Sequence, residues 1–93
     1  MHVITLKEKF RWAAENVKNL KEKPNEDELL EIYALYKQAE FGDCNNPQPN
    51  FLDFIGIAKW LSWNSKKGLP SENAMEEYIK HTEAIVKKYG LKE

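Results

Sequence analysis

The stretch NEDELLEIYALYKQAEFG, residues 25–42, decides how this chain of 93 residues folds. Asn25 with Glu28 three positions later is a capping-box pattern, and Glu26, Asp27 and Glu28 crowd a first turn where the helix dipole is positive. Leu29, Ile32, Tyr33, Tyr36 and Ala39 then recur at helical spacing, and Gly42 supplies a stop. Within that helix Tyr33, Tyr36 and Lys37 stand at i, i+3 and i+4, so two phenols and an ammonium share one face. A buried stripe rarely includes a lysine, and a solvated face rarely includes two tyrosines. The combination suits a ligand with an aromatic ring beside an anion, as in a phosphorylated nucleotide. Lys59, Trp60 and Trp63 repeat the pairing further along.

The flanking sequence predicts three more helices. The first spans 5–20, where Thr5 and Glu8 form a second capping box and Leu6, Phe10, Ala13, Ala14, Val17 and Leu20 follow helical spacing. Pro24 closes that segment, because the residue before a proline avoids helical geometry. Residues 26–41 form the second helix, and Gly42 to Asn50, rich in Asn and Pro, reads as an ordered loop. The third helix is expected over 53–67, stopping at Gly68, and the fourth over 71–89, with Lys87 and Lys88 in a last turn that favours cations. No strand-like alternation, internal repeat or low-complexity segment occurs. The expected fold is all-α, a compact four-helix bundle in one domain covering 1–93.

Composition narrows the function. Fourteen basic residues against fifteen acidic ones disfavour a general nucleic-acid binder, which needs many clustered cations. One cysteine, Cys44, permits no internal disulfide, and no segment is apolar enough to span a bilayer. A cytoplasmic location is the expectation. No phosphate-cradling glycine loop or nucleophile elbow is present, His2 and His81 lack partners at metal-ligand spacing, and Cys44 has no base nearby in sequence. Catalytic residues, metal and cofactor are therefore all expected to be none.

Two features remain. Phe51, Leu52, Phe54, Ile55, Ile57, Trp60, Leu61 and Trp63 make the third helix apolar around most of its circumference. Either it packs between its neighbours, or a spare face lines a groove or meets another surface. Lys18, Lys37 and Lys59 lie on different helices beside apolar or aromatic residues, and convergence of the three at one surface would make an anion site.

These residues resemble the acyl-CoA-binding protein family. The match runs from about Phe10 to Tyr89 and is carried by Tyr33, Tyr36-Lys37-Gln38-Ala39, Gly42-Asp43, Pro49, Asp53-Phe54, Lys59-Trp60, Trp63-Asn64 and Gly68, with Ala13-Ala14, Lys18, Pro24, Ala74-Met75 and Tyr78-Ile79 in agreement. The resemblance implies an up-down-down-up bundle that binds medium- to long-chain fatty acyl-CoA thioesters without chemistry. It implies that Tyr33, Lys37 and Lys59 hold the ribose 3′-phosphate and that Tyr36 and Tyr78 contact the head group around the adenine. Lys18 and the Ala14 surface would lie beside the nucleotide, and the acyl chain would enter the groove between the second and third helices. A monomer is implied, with transient contacts to membranes and to enzymes that use acyl-CoA. Ile55, Ile57 and Leu61 depart from the family, which often carries more polar residues there. They either extend the tail groove or form a docking patch.

Overall fold

The computed structural model describes residues 3–92, so His2, expected at a loose terminus, lies outside the described residues. Four helices account for most of the chain: α1 (Leu6–Lys18), α2 (Glu26–Phe41), α3 (Phe54–Asn64) and α4 (Ser71–Tyr89). Both expected capping boxes form. The Glu8 amide donates to Thr5 Oγ1 at 3.1 Å while the Thr5 amide donates to Glu8 Oε1 at 3.2 Å. The Asn25–Glu28 pair repeats this at 2.8 and 2.9 Å, so amides left open at each helix start find acceptors.

Two helix ends fall short of the sequence reading. α1 stops at Lys18 because Leu20 is drawn into an isolated antiparallel bridge with Leu91. The Lys21 amide donates to Gly90 O, and that of Lys92 to Asn19 O, both at 2.8 Å. Those bonds require a chain reversal after α4, which Gly90 provides with φ of 76°. α3 ends at Asn64, not at 67, because after the Ser65 amide, which still reaches Leu61 O, the amides reach back only three residues: Lys66 to Trp63 O and Lys67 to Asn64 O.

α4 packs against α1 and α2, and α2 packs in turn against α3. The core joins Phe10 and Ala13 of α1, Ile32, Leu35 and Ala39 of α2, and Ala74, Met75, Tyr78 and Ile85 of α4. A fully buried leucine such as Leu35 contributes about 1.5–3 kcal/mol of transfer free energy. None of the residues in that core belongs to α3. The third helix does not sit between neighbours, since among the helices it meets α2 alone.

Polar contacts hold the α2–α3 end together. Buried Gln38 donates through Nε2 to Asp43 Oδ1 at 2.8 Å and to Leu69 O at 2.9 Å. The same Asp43 oxygen accepts the Gly68 amide at 2.8 Å, and the two donors hold the carboxyl below its ordinary range, the Gly68 amide most strongly. Trp63 Nε1 donates to Gly42 O at 2.9 Å, and Trp60 Nε1 donates to Asn46 O at 2.8 Å. The loop from 42 to 50 is thus fixed to α3 by two indoles, and with it the angle at which α3 leaves α2.

Candidate functional site

On α2, Tyr33 and Lys37 are one turn apart, and both are half-buried. α3 brings Lys59 to the same place. Lys59 Nζ lies 5.3 Å from the Tyr33 ring centroid, and Lys37 Nζ lies 5.8 Å from it. Lys37 also stands 4.8 Å from the Phe41 ring and 5.5 Å from that of Trp63, so aromatic faces surround its ammonium. Among the described residues neither Lys37 nor Lys59 pairs with a carboxylate, whereas Lys18, Lys66 and Lys88 each do. Two ammoniums beside one ring leave positive charge there that an anionic ligand would neutralise. Burial, and secondarily the neighbouring Cys44, pushes the Tyr33 phenol above its ordinary value, so it stays protonated and can donate a hydrogen bond at neutral pH.

The second cluster is aromatic. Phe10 stacks on Tyr36 at 5.4 Å between centroids with 19° between planes. Tyr78 meets Phe10 edge-on at 5.0 Å and Tyr36 at 5.8 Å. One ring comes from each of α1, α2 and α4. Tyr36 remains 36% exposed, while Tyr78 is only 3% exposed. Tyr78 therefore braces Tyr36 far more than it offers a surface of its own. Its burial pushes the hydroxyl up to about 12.

The remaining expected residues lie on α1. Ala14 is half-buried against the core. Lys18 is exposed and pairs with Glu15 at 3.4 Å. Of the three lysines expected to converge, the structure brings Lys37 and Lys59 to one phenol and leaves Lys18 engaged on its own helix. Sequence reasoning missed Phe10 and Phe41 as parts of the site, and it set Trp63 beside Lys59, whereas the structure puts its ring 5.5 Å from Lys37 Nζ. Phe41 follows Lys37 by four positions on α2, so that contact was readable, whereas Phe10 reaches Tyr36 from another helix and left no signal.

A cleft of about 330 Å³ opens beside Lys37, lined also by Phe41, Asp43, Asn45, Asn46 and Trp63. Another of about 520 Å³ lies on the α1–α4 side, between Ile4, Glu8, Lys9, Trp12, Ile79 and Glu83, and contains none of the expected site residues. Among the described residues no cluster of His, Cys, Asp and Glu is arranged to hold a metal. The anion-ready lysine pair and the three-ring cluster are therefore the chemistry to be matched.

Residues 7–82 match the family model described as Acyl CoA binding protein. The chain belongs to the acyl-CoA-binding protein family. It is 49% identical over 83 residues to the acyl-CoA-binding protein homolog of Drosophila melanogaster, a match covering 89% of this chain and 96% of that protein. Among solved structures it resembles acyl-CoA-binding protein 2 of Oryza sativa, with a TM-score of 0.86 at 30% identity over 90% of this chain and 93% of the other. The acyl-CoA-binding protein of Moniliophthora perniciosa gives a TM-score of 0.83 at 39% identity, covering 92% and 85% of the two chains. The all-α, four-helix up-down-down-up architecture expected of the family is the one found here.

Proposed function

We propose that this protein binds medium- to long-chain fatty acyl-CoA thioesters without transforming them, and buffers and carries them in the cytoplasm. The observation that carries the reading is the pair of ammoniums, Lys37 and Lys59, which meet no carboxylate among the described residues and lie beside the ring of one protonated phenol, Tyr33. That set matches a phosphate monoester such as the 3′-phosphate of CoA, with the lysines as point charges and the phenol as donor. Tyr36, braced by Phe10 and Tyr78, offers the adenine a stacking surface. Lys18 and Ala14 flank the nucleotide from α1. The acyl chain runs into the groove between α2 and α3.

The energetics require both ends of the ligand. Sequestering ten methylenes at ~0.8 kcal/mol each gives roughly 8 kcal/mol gross. Stacking of a base adds about 1–3 kcal/mol. Nanomolar affinity needs about −12 kcal/mol net, so neither tail nor head group suffices alone. No cofactor or metal enters this scheme, one ligand occupies one monomer, and enzymes that consume acyl-CoA are its recipients.

Isothermal titration with palmitoyl-CoA, palmitate and free CoA tests the reading. One-to-one binding of the thioester, far tighter than of either fragment, is expected, with thioester absorbance unchanged on prolonged incubation. Folded protein that takes up no palmitoyl-CoA refutes the binding role, and a decay of thioester absorbance refutes its non-catalytic character.

A further inference from the structure

Phe41 closes α2 with 64% of its surface exposed and takes no part in the buried core, so burial does not account for a large apolar ring there. It stands one helical turn beyond Lys37, on the same face. Of the three rings around the Lys37 ammonium it is the nearest, at 4.8 Å from Nζ against 5.5 Å for Trp63 and 5.8 Å for Tyr33. The Phe41 ring also leans on Trp63, with 6.3 Å between centroids and 54° between planes. Trp63 is a fixed wall, only 7% exposed and tied through Nε1 to Gly42 O. Rings hold an ammonium differently from carboxylates. Lys66, bonded to Glu31 at 2.6 Å, has its charge offset by its partner. A ring attracts a cation through its quadrupole and carries no net charge, so Lys37 keeps its charge and its N–H donors for an anion. A free lysine stem samples many rotamers, and a ligand that binds it must order it; rings that confine the ammonium beforehand lower that cost.

We propose that Phe41 is a positioning residue, whose ring holds the Lys37 ammonium beside Tyr33 and Lys59 and thereby sets the preference for a ligand that carries a phosphate monoester. This role rests on the phosphate reading of the site given above, and adds to it a residue that acts through Lys37. The agent is the π face of residue 41, not its apolar bulk. Leucine at that position keeps the bulk without the face, and tyrosine keeps the face.

The test is isothermal titration of the parent, Phe41→Leu and Phe41→Tyr with palmitoyl-CoA and with its 3′-dephospho analogue, joined to the Lys37 Hε resonances of the ligand-free proteins. Because Phe41 is exposed, both variants should keep the parent's helical circular dichroism. The ratio of the two dissociation constants should shrink about two- to fivefold in Phe41→Leu, the size of an exposed cation–π contact. Phe41→Tyr should keep the parent's ratio. In the ligand-free parent, ring currents should place the Lys37 Hε resonances upfield, and Phe41→Leu should move them back downfield. A leucine variant that keeps the parent's ratio overturns the proposal, and so does a tyrosine variant that loses as much as leucine. Equal binding of the two ligands by the parent refutes the phosphate site itself and this role with it. Lys37 resonances at random-coil positions, in a parent that does prefer the phosphorylated ligand, overturn the positioning role alone.

Discussion

Truncating Lys59 to alanine separates a binding role from a folding role more cleanly than any other substitution at this site. Lys59 is exposed, and its recorded contact is the face of Tyr33 at 5.3 Å. An exposed cation–π contact is worth about 0.5–1 kcal/mol, so the melting temperature should fall by no more than about 8 °C in a domain of this size. Lys37 is a poorer probe, because it is half-buried among Tyr33, Phe41 and Trp63 and its stem contributes packing. If Lys59 bonds the 3′-phosphate, its loss removes a charge-assisted contact worth about 1.5–3 kcal/mol, which is roughly a 10- to 150-fold rise in Kd. The assay is titration of parent and Lys59→Ala with palmitoyl-CoA and with its 3′-dephospho analogue. The parent should prefer the phosphorylated ligand, and the variant should lose most of that preference, which is the coupling a double-mutant cycle isolates. Equal losses for the two ligands would show that Lys59 acts elsewhere on the ligand, and wild-type affinity for both would refute the assigned phosphate site.

Two pH-dependent predictions follow from the buried and bonded acids. The Tyr78 hydroxyl is raised from 10.0 to about 12, so its stabilisation of the neutral form is complete below pH 10 and is lost as pH rises through about 12. Tyr78→Phe keeps the ring against Phe10 and Tyr36, and should flatten the alkaline fall in the urea midpoint; an unchanged slope would mean another group controls it. Asp43 is lowered from 3.8 by the Gly68 amide and Gln38, so its contribution is present above pH 3.8 and disappears as pH falls through the depressed value. Asp43→Asn should be less stable than the parent at neutral pH and converge with it in acid, and a gap that stays constant with pH would refute that origin.

Much of the fold was legible because its determinants are local. Both capping boxes join residues three positions apart, and the structure forms them as read. The shared face of Tyr33, Tyr36 and Lys37 follows from helical periodicity alone. Helix ends were less legible, because the end of α1 depends on Leu91, which lies far along the chain from Leu20. The α3 end depends on a shift to three-residue bonds that Gly68, read as the stop, did not reveal.

By itself the sequence determined the helical class, the starts of the helices, the absence of any general nucleic-acid-binding charge and the family to which the chain belongs. The family resemblance already grouped Tyr33, Lys37 and Lys59; only the tertiary structure decided that Lys18 stays on its own helix with Glu15, that Tyr78 is a brace rather than a surface, and that Phe10 completes the ring cluster. It also decided that the apolar surplus of α3 divides into a half-buried Ile57 and an exposed rim. The physical reason is one of range. Caps and periodic faces are fixed by interactions within a turn or two of helix, whereas exposure and convergence depend on which helices pack together. Here α3 leans on α2 alone, and that single packing choice both brings Lys59 to the site and leaves Phe51, Leu52, Phe54 and Ile55 uncovered by any helix.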